Sequence, residues 1–174
     1  NIQNGYEILN EVKVNGAIKV TGGLQATAAP EVILKNFKNI DYLITGESEL
    51  VRAESAECID TGSDFSEVDG IAFVKNDQFK KKKKKKIINN LDVLSPYDYD
   101  IFDDQVFFRP YNGEVVRAVD FELSRGCIYS CSYCVETIIQ KYYGFEESSK
   151  KTGAISNFKS YLRSKSAKTI FEEI

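Results

Sequence analysis

Three cysteines, Cys127, Cys131 and Cys134, fall in the run Cys127-Ile-Tyr-Ser-Cys131-Ser-Tyr-Cys134, a C-x3-C-x2-C spacing. A loop this short wraps its thiols around a common centre, and soft thiolates suit zinc or an iron–sulfur cluster. Structural zinc closes its shell with four ligands. Here the local set is three, the chain has no His, and the fourth cysteine, Cys58, is far away in sequence. Three thiolates leave one iron of a [4Fe–4S] cluster open to a small chelating molecule. Three other readings stay open. The cysteines could be small buried apolar residues. They could form a zinc site completed by a carboxylate or another segment, or an electron-transfer cluster completed by a downstream cysteine. The ligand count favours the open cluster.

The chain around this loop has 174 residues, enough for one ordinary domain or two small ones. Its 43% hydrophobic content supports a packed core, and 28% charged residues with a net charge of −3 fit a soluble cytoplasmic protein rather than a nucleic-acid binder. No apolar run approaches the roughly 20 residues that cross a bilayer, and Asn1 to Gly5 carry no signal-peptide pattern. The absence of His excludes His-based acid–base chemistry within this segment. Together with the absence of Met it suggests a fragment or a processed chain. Clustered cysteines without a signal peptide argue against a secreted disulfide scaffold.

The elements that must position the loop follow from periodicity. Residues 5–14 have a helical pattern, with Ile8 and Val12 four apart, stopped by Asn15-Gly16. Residues 17–21 form a β-type run ending at Gly22-Gly23, and Ala29-Pro30-Glu31 opens a helix with Val32, Ile33 and Phe37 on one face. Residues 40–45 form a second β-run, closed by Gly46-Glu47-Ser48-Glu49, and a third helix runs to about Glu57. This alternation predicts a parallel α/β sheet, whose ligands bind at loops beyond the strands' carboxyl ends. Residues 68–74 read as a strand, Asn76-Asp77 as a turn, and residues 91–104 as a loop. Residues 115–123 alternate as a strand leading into the cysteines. Ser148 to Gly153 read as a polar loop, and Ser166 as the cap of a helix over 167–174 with Ile170 and Ile174 on its buried face.

The run Glu122-Leu-Ser-Arg-Gly-Cys-Ile-Tyr-Ser-Cys-Ser-Tyr-Cys134 resembles the cluster loop of radical S-adenosylmethionine (SAM) enzymes, marked by C-x3-C-x-aromatic-C. Its Ser-Arg-Gly resembles the subgroup with an N-terminal cobalamin-binding domain. Gly22-Gly-Leu-Gln-Ala-Thr-Ala-Ala-Pro-Glu31 is similar to that subgroup's G-G-x-x-x-T-x-x-P-E loop. Asp41-Tyr-Leu-Ile-Thr-Gly-Glu-Ser-Glu49 is similar to D-Y-x-x-x-G-E-G-E, with Ser48 in place of Gly. Residues 68–74 and 91–102 resemble its linker. Arg163 to Lys168 resembles the basic stretch opening the first barrel helix, with Lys165, Ala167 and Lys168 as departures.

The resemblance implies an α/β architecture in three parts. Residues 1–58 would be the C-terminal part of a Rossmann-like, B12-binding type parallel sheet, and 59–114 a linker hairpin. Residues 115–174 would be the first strand and partial first helix of a radical SAM partial (β/α) barrel. It implies Cys127, Cys131 and Cys134 as cluster ligands, SAM chelating the open iron, Tyr133 against the adenine, and Gly126 turning the strand tightly into the loop. Cleavage of SAM would give a 5′-deoxyadenosyl radical, with methyl transfer the expected reaction. Cobalamin would sit on Gly22, Gly23, Gly46 and Glu47, where a corrin nucleotide tail needs close approach to backbone. The implied partners are a small-molecule or natural-product substrate and an electron donor such as flavodoxin or ferredoxin, with neither nucleic acid nor membrane. The D-x-H-x-x-G motif of many such cobalamin domains is absent, and residues 135–160 exceed the usual connection. A non-catalytic zinc- or cluster-binding module is the alternative.

Blander readings apply elsewhere. Gly22, Gly23 and Gly46 could be ordinary turn glycines, and Glu47 and Glu49 helix N-terminal carboxylates. The seven lysines Lys80 to Lys86 read as a solvated, self-repelling hairpin or loop. Cys58 reads as a small buried residue, and Tyr142, Tyr143 and Phe145 as core or interface.

Overall fold

The computed structural model describes residues 2–145 and 158–173. The expected polar loop at Ser148 to Gly153 and the expected burial of Ile174 lie outside the described residues. The chain forms two compact units, Asn1–Ile88 with Ile128–Phe158, and Asn89–Cys127 with Lys159–Ile174.

The first unit is built on a four-stranded sheet in the order β1 (Val20–Thr21), β2 (Tyr42–Ile44), β3 (Ile71–Lys75), β4 (Gln78–Lys81). Helices α1 (Ile2–Glu11), α2 (Leu24–Ala28) and α3 (Pro30–Asn36) precede β2, and α4 (Glu49–Thr61) follows it. Alternation along β2 divides the core. Leu43 joins Tyr6, Ala26, Ile33, Leu34, Ile40 and Ala72 in one cluster. Its neighbour Ile44 joins Val51, Phe65, Val68, Ile71 and Phe73 in a second, with Cys58 packed against it.

β1 and β2 are parallel, as the alternation predicts, but β3 pairs antiparallel with both β2 and β4. The sheet is therefore mixed rather than purely parallel. The hairpin expected in a linker supplies the third and fourth strands, and its Ile71, Ala72 and Phe73 are all buried. Asn76 and Asp77, at φ 53° and 57°, make its two-residue turn. Several bounds also shift. α1 ends at Glu11 rather than residue 14, and β1 is confined to Val20–Thr21. Short α2, invisible to periodicity, follows Gly23, and α4 runs on to Thr61, where Gly62 at φ 69° caps it.

The second unit is rich in tight turns. Asn90, Asp98 and Asp103 each accept the backbone N–H two residues on, opening 3-10 turns. β5 (Phe108–Tyr111) and β6 (Glu114–Arg117) form a hairpin across Asn112-Gly113. The expected strand over 115–123 is thus corrected: it ends at Arg117, opposite Phe108, the first residue of β5. The chain resumes pairing only at β7 (Ser124–Arg125), antiparallel to β8 (Arg163–Ser164). α6 (Phe158–Tyr161) precedes β8, and α7 (Ala167–Glu173) follows it. Ser166 caps α7 as expected, its Oγ accepting the Thr169 N–H at 3.2 Å. Lys165 and Glu173 form a buried ion pair at 2.6 Å. Among the described residues no helix is long and apolar enough to cross a membrane.

Candidate functional site

Both glycine loops leave the carboxyl ends of the parallel strands. Gly23, at φ 99°, is the N-cap of α2, a conformation L side chains rarely adopt. Its carbonyl accepts both the Thr27 N–H at 3.0 Å and the Thr27 hydroxyl at 2.9 Å. The Thr27 Oγ in turn accepts the Gly46 N–H at 2.8 Å. One threonine therefore ties the two loops together. A Cβ on Gly22 would stand 3.4 Å from Ile44 Cβ and carbonyl.

A cavity of about 340 Å³ opens beside Gly22, lined by Thr21, Ile44, Ser48, Arg52, Ser55 and Phe65 among others. The Ser55 hydroxyl is buried with no hydrogen-bond partner among the described residues. An orphaned buried hydroxyl lining a cavity is the kind of group a polar ligand satisfies. Sequence reasoning missed Ser55 and Arg52. Their only signal is helical phase, since α4 had to be placed before they could be aimed at Gly22.

Glu47 precedes the Ser48 N-cap instead of sitting in the first turn of α4, and its carboxylate accepts the Ile88 N–H at 2.8 Å. Gly46, at φ 84°, faces the tyrosines of α5 (Glu136–Tyr143): a Cβ there would stand 2.5 Å from the Tyr143 oxygen and 3.2 Å from the Tyr142 ring. The Glu47 N–H donates to that Tyr143 oxygen at 2.6 Å. Tyr142 meets the Thr45 hydroxyl at 3.0 Å, and burial pushes its phenol above the usual range. Its ring lies 4.8 Å from the Lys81 ammonium, and its carbonyl accepts from Lys84 at 2.6 Å. Desolvation, then the neighbouring Lys84 charge, lowers the Lys81 pKa. Lys82 pairs with Glu67, and Lys85 with Glu54. The lysine run is therefore partly engaged and not simply a solvated, self-repelling loop.

The cysteine motif is entered through Gly126. At φ 97° it lies so close to Tyr161 that a Cβ would stand 2.9 Å from that residue's carbonyl carbon and 3.2 Å from Leu162 Cα. Just before it, Arg125 grips Glu122 with Nε at 2.8 Å and a terminal nitrogen at 2.7 Å, and Tyr97 donates to the same carboxylate at 3.1 Å. The Arg125 guanidinium holds the Glu122 carboxyl below the usual range. Within the first unit, the Cys134 N–H donates to the Cys131 carbonyl at 3.1 Å, and the Thr137 hydroxyl to the same carbonyl at 2.7 Å. Buried Gln140 reaches back to the Tyr129 carbonyl at 3.0 Å.

None of the four cysteines is in a disulfide, and all are half-buried. Tyr133 is 90% exposed. A hydrogen bond to Cys131, then the negative charge of its thiolate form, raises the Tyr133 phenol pKa. Tyr133, Cys131 and Cys134 are thus brought together. Among the described residues no group of three Cys, Asp or Glu side chains is placed to hold one metal ion. The donor set still has the chemistry an iron–sulfur cluster takes: three uncrosslinked thiols, partly shielded, on one short turn.

No protein-family model matches the chain. It is 32% identical over 117 residues, 67% of its length, to an anaerobic magnesium-protoporphyrin IX monomethyl ester cyclase of Synechocystis sp., covering 23% of that protein. It is 24% identical over 119 residues to an uncharacterised methyltransferase of Pyrococcus horikoshii, covering 68% of this chain and 25% of the relative. The chain therefore spans about a quarter of the length of these curated relatives. Among solved structures it resembles the radical S-adenosylmethionine methyltransferase TsrM of Kitasatospora setae. In the form with cobalamin and a [4Fe–4S] cluster bound, the TM-score is 0.58 at 19% identity, over 99% of this chain and 30% of the other. A second TsrM structure, with tryptophan substrate and a SAM analogue, gives 0.57. At that identity the likeness establishes the fold.

Proposed function

The chain is homologous to radical SAM enzymes, and on that footing we propose that it carries the cluster loop and the corrinoid loops of such an enzyme. The observation that supports this most directly is the C-x3-C-x2-C turn entered through Gly126, a position where any side chain would strike the Tyr161 backbone. Cys127, Cys131 and Cys134 are the proposed thiolate ligands. Exposed Tyr133 offers its ring to the adenine of SAM. Gly22, Gly23, Gly46 and Glu47, with the cavity beside Ser55, are the proposed seat of a cobalamin tail, to which the orphaned Ser55 hydroxyl can bond.

Bound there, the cluster would supply the electron for reductive cleavage of SAM and cobalamin would supply the methyl group, as cofactors do for chemistry side chains cannot perform. The reaction is methyl transfer or a related radical step on a small molecule, with the electron supplied by a flavodoxin- or ferredoxin-type donor. The protein's own share is to orient these groups and exclude oxygen.

Anaerobic reconstitution with ferrous iron and sulfide tests the metal centre. The expected product is brown and air-sensitive, with about four irons and four labile sulfides per chain, both lost when Cys127, Cys131 and Cys134 are replaced together by Ala. One zinc per chain without labile sulfide would replace this reading with that of a non-catalytic zinc module.

A further inference from the structure

Helix α5 joins the cysteine turn to the glycine loop. Its first turn holds the backbone of the cysteine turn: the Thr137 hydroxyl donates to the Cys131 carbonyl, and the Thr137 N–H donates to the Cys134 carbonyl at 3.2 Å. Its last turn delivers Tyr142 and Tyr143 to the loop after β2. At 8 residues α5 is a rod of about 12 Å, packed against α2.

The two tyrosines are held differently. Tyr142 is tied by the Thr45 hydroxyl, by the Lys84 bond to its carbonyl and by the Lys81 ammonium over its ring. Tyr143 occupies the bare face of Gly46 and takes the Glu47 N–H. Those are the features that would let a ligand approach the loop, a residue without a side chain and an outward-facing backbone donor. One N–H directed at the phenol oxygen cannot also serve a ligand oxygen.

We propose that Tyr143 is a built-in occupant of the Gly46 loop that a cobalamin tail displaces, so that loading this loop is transmitted through α5 to Cys131 and Cys134. The inference rests on the reading that the glycine loops bind cobalamin. The lysine strap at Lys81 and Lys84 keeps Tyr142 in place, so α5 pivots rather than detaches. Coupling of this kind is reciprocal: whatever frees the loop from Tyr143 tightens the ligand.

The test uses the full chain with hydroxocobalamin as probe. It measures affinity by equilibrium dialysis, hydrogen exchange in residues 136–143 by mass spectrometry, and alkylation of each cysteine by iodoacetamide. Cobalamin is expected to speed α5 exchange about tenfold and to change the alkylation rates of Cys131 and Cys134 while Cys58 stays constant. Tyr143→Ala is expected to bind hydroxocobalamin about five- to tenfold more tightly, and Tyr143→Phe about twofold. If Tyr143→Ala disturbs exchange protection of the sheet, Tyr143→Phe carries the comparison. Wild-type binding with unchanged α5 exchange, or a tyrosine variant that binds no tighter, overturns the proposal and leaves cobalamin binding standing. Absence of binding by both wild type and variants removes the cobalamin reading and this inference with it.

Discussion

The two units are held together by different forces. The first is closed around two apolar clusters that bury Leu43, Val51 and Ile71 completely. The second buries only a few apolar side chains, among them Leu91, Phe107 and Tyr161, while Ile101, Tyr111, Val115 and Phe171 are each more than 70% exposed. Its order comes from Asx turns, the Arg125–Glu122 fork, the Arg109–Asp120 and Arg117–Asp104 pairs and the buried Lys165–Glu173 pair. Burial is worth about 1.5–3 kcal/mol per large side chain, whereas exposed ion pairs contribute about 0–1 kcal/mol each. The glycine loops thus stand on a frame that resists deformation. The approach to Cys127 rests on polar contacts and one glycine, which small rearrangements can reset. Burial holds the spacing of the glycine loops, whereas polar contacts hold the course of the chain into Cys127.

The sharpest break would come from the cores. Leu43→Ala is expected to destabilise the protein by about 3 kcal/mol, from lost burial and the cavity left behind. Val115→Ala, in the other unit, should change stability by less than about 0.5 kcal/mol. Urea unfolding measures both. Equal costs would mean that the exposed apolar residues of the second unit are supporting it, and the contrast would collapse.

Two glycines refine the contrast on a smaller scale. Gly126 and Gly23 have nearly the same φ, 97° and 99°, but a Cβ on Gly23 meets nothing within 4 Å. Gly23, whose ψ is −170°, lies in a region essentially restricted to glycine, so Gly23→Ala should cost the conformational penalty alone, about 1–3 kcal/mol. Gly126→Ala adds a collision with the Tyr161 backbone and should cost about 2 kcal/mol beyond its own conformational penalty. Hydrogen exchange across β7 and β8 should rise for Gly126→Ala alone. Equal penalties would show that the approach to Cys127 yields without cost.

What was legible in the sequence divides along the same line. Where burial dictates structure, as at Leu43 and Ile44, a short apolar β-type run located β2 and the glycine loop after it. Proline at the start of α3 and Ser166 at the start of α7 were legible because caps act locally. The strand over 115–123 was misplaced because alternation reports a pattern of faces and not the presence of a pairing partner, and past Arg117 β5 has run out. The mixed sheet was missed for a related reason: hairpin turn chemistry at Asn76-Asp77 is the same in a linker and at a sheet edge. The Tyr143–Gly46 approach could not be read at all, since nothing local links residues 97 positions apart.

A weaker probe of the polar unit is Glu122→Gln. Arg125 depresses the Glu122 pKa, so the carboxylate's contribution is present above the usual carboxylate range and is lost as pH falls through its lowered value. The pair has side chains 14% and 31% exposed, so about 1 kcal/mol is expected at pH 7. Urea titrations at pH 7 and near pH 3 should show Glu122→Gln less stable than wild type at the higher pH and indistinguishable from it at the lower. A deficit that persists at low pH would assign the effect to packing instead.

The smallest effect on stability, and the one with inverted sign, belongs to Ser55 in the buried unit. Its hydroxyl is desolvated without a hydrogen-bond partner among the described residues, so folding bears the cost of stripping its water and recovers nothing. Ser55→Ala should therefore leave stability unchanged or raise it by up to about 1 kcal/mol, against the usual direction for a core polar-to-Ala change. If the cavity beside Gly22 seats a ligand that bonds this hydroxyl, the same substitution should weaken hydroxocobalamin binding about fivefold, as loss of one hydrogen bond does. Opposite signs in the two measurements would mark Ser55 as held in reserve for a ligand. A loss of stability would mean that the hydroxyl is already satisfied in the folded protein, by water or by a shift of α4, and that the cavity has no polar group waiting in it.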